Sequence, residues 1–231
     1  MNDPQMPDDV KPPPVAARVM LRPLANPLPL GFLALAAASL LLSGVQLDWV
    51  EPSDAAMVAV ILLAFVAPLQ LVVSIIGFLC RDAVAGTGMG ILAGTWASTG
   101  FVLLRSQPGT TSRGLGLLLV VAAAAMLVPV LGAVGAKLVP AAVLSVTSLR
   151  FLFGGIHQLS GNSFWKTTAG VVGIVVVGLA FYAAVALMVE ETTHATRLPV
   201  GRRHAGRRAA SGRIPDQLAN IGQEAGVREQ L

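Results

Sequence analysis

One cysteine, one tyrosine and three histidines in 231 residues leave little material for covalent or metal chemistry. The lone Cys80 excludes an internal disulfide framework and a cysteine-rich metal site. Charge is equally scarce. Asp, Glu, Lys and Arg make up 12% of the chain, about half the ~25% usual in a soluble domain. There is no glycine-rich phosphate loop, no carboxylate pair within a span, and no Ser/His/Asp set that neighbouring spans would bring together. An enzyme normally gathers acid, base or metal-ligating groups near one face, so neither catalysis nor a cofactor is expected. The segment Met1–Arg22 carries Asp3, Asp8, Asp9 and five prolines ahead of any apolar run, unlike a signal peptide. The first apolar span must then be its own insertion signal. A pI near 10 does not point to nucleic acid, because most of the basic excess lies in one tail.

What the chain has instead is apolar length. Hydrophobic residues make up 55% of it, the mean hydropathy is +0.73, and several runs exceed the ~18 residues that signal a membrane helix. The expected fold class is all-α: a polytopic membrane protein with six transmembrane helices in the lipid bilayer. The spans are expected near 28–47, 55–80, 88–104, 115–134, 140–159 and 168–189. Pro68 interrupts the second, and Pro129 is expected to kink the fourth. Residues 1–25 read as a polar leader, 26–201 as the transmembrane unit and 202–231 as a basic tail. Gly86, Gly90 and Gly94 recur at four-residue spacing and form a smooth stripe for close helix packing. The stretch from Ser160 to Lys166 reads as an interfacial loop.

Six spans place both termini on one side, and Lys and Arg choose that side. With the termini inside, twelve basic residues are cytoplasmic: Lys11, Arg18, Arg22, Arg81, Lys137 and the arginines from 197 onward. Three, Arg105, Arg113 and Lys166, lie opposite. Both termini are therefore expected in the cytoplasm and the acidic Asp48/Glu51/Asp54 link outside. The arginine-rich tail either sets this topology or touches anionic lipid. Glu190 and Glu191 read as a solvated pair at the end of the last helix.

Two ionisable groups fall well inside a span. Arg150 is halfway along the fifth helix, where a cation costs roughly 2.5–3.5 kcal/mol to insert, so it should face a polar interior. His157 lies seven residues on, nearly the same helical face. The pair forms a positive stripe able to attract an anion. The structural alternative ties the guanidinium to backbone carbonyls or Ser and Thr oxygens at a helix junction, with His157 interfacial.

The first span opens with Asn26-Pro27-Leu28-Pro29-Leu30-Gly31. Asn26 suits a helix N-cap and Pro27 the first helical position. Pro29 is still within the first turn, and Gly31 permits a close approach. This stretch resembles the signature, usually Asn-Pro-Ala-Pro-Leu-Gly, of the acetate uptake transporter family. That family includes the bacterial succinate–acetate permeases. Gln70, Gly161-Asn162, Ala169-Gly170, Tyr182 and the exit Leu198-Pro199-Val200-Gly201 extend the likeness over about residues 26–201. The resemblance implies a six-helix protomer with its own pore, usually a homohexamer, in the plasma membrane. It implies small monocarboxylate anions such as acetate as cargo, sometimes succinate, generally with protons. Asn26, Pro27 and Pro29 would then lie at the cytoplasmic mouth, with Gln70, His157 and Tyr182 along the path. The family narrows its pore at positions that fall here near Leu35, Trp96 and Thr147. Arg150, one turn from Thr147, departs from that pattern. A urea or short-amide channel of similar plan and a non-transporting membrane scaffold are the competing readings.

Overall fold

A computed structural model describes residues 24–193 and 195–203. Most of the leader, His194 and the tail beyond Arg203 lie outside the described residues. Six stretches are long and apolar enough to cross a bilayer. They comprise α1 (Leu28–Gln46), a broken second span (Pro52–Leu79), α4 (Ala83–Arg105), α5 (Arg113–Val134), α6 (Leu138–Ser160) and α7 (Ser163–Thr193). The second span contains α2 (Ala55–Ile61) and α3 (Ala67–Leu79), separated by one wide turn at Leu62–Val66. Among the described residues there is no named strand, and the fold is all-α as expected.

The break in the second span has a covalent cause. Pro68 has no N–H to return to the preceding turn. The chain widens ahead of it, and the Ala67 N–H reaches back five residues to the Leu62 carbonyl. Single wide turns of this kind recur at functional sites. In α5, by contrast, the helix runs on through Pro129.

The connections are short and capped. The Asn26 amide oxygen accepts from the Leu28 N–H at 3.1 Å, so it does cap the first turn, although the helix starts one residue later than expected. Asp82 Oδ1 accepts from Ala85 N–H at the start of α4, and Ser112 Oγ from Leu115 N–H at the start of α5. The expected loop after the fifth span shrinks to Gly161 and Asn162. Gly161 takes a left-handed φ of 69° that ends α6, and Asn162 Oδ1 accepts from Phe164 N–H at 2.8 Å to begin α7. Phe164, Trp165 and Lys166 therefore belong to a helical first turn.

Small residues set the tightest contacts, partly as the glycine stripe suggests. A methyl group on Gly86 would run into the Phe78 ring, and one on Gly90 would lie 2.9 Å from Ser74 Oγ. Gly94 differs: nothing lies within 4 Å of where its side chain would be. Each helix also turns bulky apolar groups outward, among them Leu71, Ile75, Phe101, Val121, Val128, Leu131 and Val175. In water such a surface would be an association hazard. In lipid it is the face the bilayer needs, since the helices satisfy their backbone groups internally.

Beyond α7 the chain folds back onto the bundle. Val139 N–H donates to Val200 O and Leu138 N–H to Gly201 O, an antiparallel touch of the exit segment on the start of α6. Arg202 grips Glu190 Oε1 through Nε at 2.7 Å and Nη2 at 2.6 Å. Glu190 is therefore clasped rather than solvated.

Candidate functional site

A cavity of about 190 Å³ opens at the end of the bundle opposite Asn26. Its rim is polar, with Asp48, Gln107, Thr110, Gln158 and Lys166. Lys166 Nζ donates to Asp48 Oδ1 at 2.5 Å across the mouth. Asp48 holds a left-handed φ of 58° there. His157 lines the wall, with Nδ1 3.1 Å from the Asn162 carbonyl. A carbonyl only accepts, so this bond requires a proton on Nδ1. Arg150, Trp96 and Phe151 line the same cavity on buried side chains. The Trp96 and Phe151 rings meet edge to face at 5.3 Å between centroids, an arrangement favoured by the ring quadrupole.

Arg150 is 3% exposed. Its Nη2 donates to the Ser39 carbonyl at 3.3 Å and to Gln46 Oε1 at 3.5 Å. The guanidinium carbon sits 5.8 Å from the centroid of the Trp96 ring, within cation–π range. No carboxylate among the described residues pairs with it. Its Nε has no partner, nor do the neighbouring Ser39 Oγ and Ser43 Oγ.

The polar groups on α1 follow a simple rule. Gly31, Leu35, Ser39 and Ser43 are four residues apart and all buried, so they form one inward stripe. At the Gly31 level, Gln70 Nε2 donates to the Gly31 carbonyl at 3.4 Å, and Gln70 Oε1 is buried without a partner. What approaches Gly31 closely is side chain, the Met89 sulfur and Val73, and a methyl group there would collide with both. Gly31 and Ser39 are about 12 Å apart along the axis at 1.5 Å per residue. Leu35, fully buried, stands between them. Two polar levels are thus separated by an apolar one.

The remaining expected residues are placed as follows. Thr147 is fully buried and its hydroxyl donates to the Val143 carbonyl at 2.8 Å. Pro27 and Pro29 flank the start of α1. Tyr182 is 37% exposed, and its hydroxyl donates to the Pro199 carbonyl at 3.0 Å, pinning the exit segment. It is not among the cavity's lining residues. Arg150, His157 and Trp96 do share that cavity, and Gln70 lies at the other polar level. Sequence reasoning missed Ser39, Ser43, Gln46, Phe151 and Gly173. The four-residue serine spacing on α1 was the one available signal.

The sequence pattern described as the GPR1/FUN34/yaaH family matches residues 9–202. The chain belongs to this family. A solved structure described as that of the bacterial acetate channel SatP superimposes with a TM-score of 0.68 at 21% identity. The match covers 77% of this chain and 99% of that one. At that identity the likeness shows the shared fold. No match emerged among curated proteins. Within the family fold, the described chain is a multi-pass membrane protein whose polar cavity ends on a buried arginine.

Proposed function

We propose that this protein carries small monocarboxylates, acetate in the first instance, across the membrane through a path inside each protomer. Family membership and the fold shared with an acetate channel support the reading. The observation that carries it is the cavity of about 190 Å³ that leads from a polar rim to the buried Arg150. A buried cation with no acid partner favours an anion over a neutral solute, because it offsets part of the anion's desolvation cost.

In this reading a carboxylate gathers at Lys166 and His157, passes to Arg150, crosses the apolar level at Leu35, Trp96 and Phe151, and leaves past Gln70. Asn26, Pro27 and Pro29 form the opposite mouth. Thr147 supports the constriction through its place on α6 beside Arg150, and Tyr182 holds the exit segment. The count of basic residues supports cytoplasmic termini in a plasma membrane, with the cavity open to the outside. Proton linkage, succinate as a second cargo and a homohexamer are further parts of the proposal.

The test is uptake of labelled acetate, succinate and urea into proteoliposomes, with and without a pH gradient. Acetate uptake well above that of empty vesicles is expected, faster when the gradient drives protons with it. Urea uptake without acetate uptake would replace this reading with an amide channel. Passage of neither solute would favour the scaffold.

A further inference from the structure

Arg150 lies among three helices that contribute very different things. From α1 come the Ser39 carbonyl, the two serine hydroxyls and Gln46. From α4 comes the Trp96 ring. From α7 comes Gly173, and the absence of a side chain there is what leaves room for Ser43 Oγ and the guanidinium. A methyl group on Gly173 would collide with Ser43 Oγ and lie 2.8 Å from Arg150 Nη1. Ser43 and the guanidinium thus converge on one small space.

We propose that Arg150, Ser39 and Ser43 form a seat for an ionised carboxylate group, where the missing side chain of Gly173 lets Ser43 and the guanidinium converge. The proposal rests on the carboxylate reading above and specifies which form of the solute is held, and by what. Hydroxyls in apolar helices normally donate to the carbonyl one turn back. Thr95, Thr99 and Thr147 do so here, and the buried Ser74 and Ser148 donate to carbonyls of neighbouring helices. Ser39 and Ser43 alone, of the buried hydroxyls among the described residues, have no partner. A buried polar group left unbonded is costly. Two such groups beside a buried cation whose Nε is also unbonded call for one ligand that satisfies all three.

A carboxylate fits that requirement. It only accepts, and its two oxygens offer about four lone-pair sites. The cluster offers the Arg150 Nε–H and two hydroxyls that rotate to donate. Nη2 is already held by Ser39 and Gln46, and the Trp96 face fixes the guanidinium plane, so the fork is oriented in advance. A neutral amide of the same shape brings an NH2 group toward a cation and cannot supply the negative charge. The site therefore takes the anion and rejects its neutral isostere.

The test is isothermal titration of the purified full-length protein with acetate and with acetamide at neutral pH, beside acetate uptake in proteoliposomes. Acetate should bind and acetamide should not. Arg150→Gln should weaken acetate binding by about tenfold or more, a loss of about one buried charged partner. Ser39→Ala with Ser43→Ala removes only two buried oxygens, keeps the arginine, and should weaken binding several-fold with an unchanged melting curve. Gly173→Ala should weaken it as well. Equal acetate binding by wild type, the Arg150→Gln variant and the double serine variant would overturn the seat, as would equal binding of acetamide. Acetate that crosses the membrane without measurable binding would overturn it too, while leaving the transport reading intact. If wild-type protein neither binds nor carries acetate, the underlying reading itself fails.

Discussion

Arg150 and Arg202 are both largely shielded from solvent, and the protein treats them in opposite ways. Arg202, beyond the end of α7, holds Glu190 through two nitrogens, and the two side chains are 17% and 14% exposed. Tyr182 and the paired backbone of Val200 and Gly201 complete that clasp. Arg150, inside the bundle, has a carbonyl, an amide oxygen and an aromatic face, but no carboxylate among the described residues. A paired cation is a structural fastening. A buried cation without its counter-charge is expensive to keep unless something charged visits it, and residues of this kind inside membranes mark solute paths.

The contrast yields opposite expectations for stability and activity. The largest effect falls on Arg150→Leu. A buried charge carries a desolvation penalty that an apolar side chain does not. The variant should therefore melt at or above the wild-type temperature while acetate uptake drops about tenfold or more. A clear fall in melting temperature with uptake intact would make Arg150 a fastening like Arg202. Next comes Glu190→Ala, which leaves the Arg202 fork without its carboxylate. A loss of about 1.5–3 kcal/mol is expected, the usual range for bonds to charged groups. Thermal denaturation in detergent measures it, and uptake per folded protein should be unchanged.

Trp96→Phe is a smaller change that sharpens the same comparison. It keeps an aromatic face over the guanidinium but weakens the cation–π contact, worth ~0.5–1 kcal/mol or more when desolvated. Acetate affinity should fall a few-fold with the melting temperature nearly constant. The smallest effect concerns Lys137, half-buried beside the Arg202 clasp. Burial lowers its pKa below the ordinary lysine value, and the nearby Arg202 charge lowers it further. A base with a depressed folded-state pKa weakens the fold while protonated, and stability recovers as pH rises toward its unfolded pKa. Lys137→Met should thus melt slightly higher than wild type at neutral pH, with the difference shrinking as the pH is raised into the alkaline range.

How far the sequence revealed these features depended on whether each was carried by one segment or by two. The six spans were legible because length and hydropathy are local. Arg150 stood out for the same reason, as a charge halfway along an apolar run. Ser39 and Ser43 did not, because a serine in a helix usually satisfies itself, and only the approach of Gly173 and Arg150 gives these two another role. The Glu190–Arg202 clasp depends on the turn that brings Leu198–Gly201 back onto α6, so a solvated glutamate was the natural reading. Ser160–Lys166 looked like a loop because its polar composition concealed how sharply Gly161 and Asn162 end one helix and begin the next. The wide turn before Pro68 had a visible cause but no visible form.

The central claim is that the cation without a carboxylate partner serves the solute and the cation with one serves the fold. The most direct measurement is the ratio of acetate to acetamide uptake in proteoliposomes at neutral pH, for wild type, Arg150→Leu and Glu190→Ala at equal protein incorporation. The account predicts a high ratio for wild type and Glu190→Ala and a ratio near that of empty vesicles for Arg150→Leu. An Arg150→Leu protein that still favours acetate as strongly as wild type would contradict it.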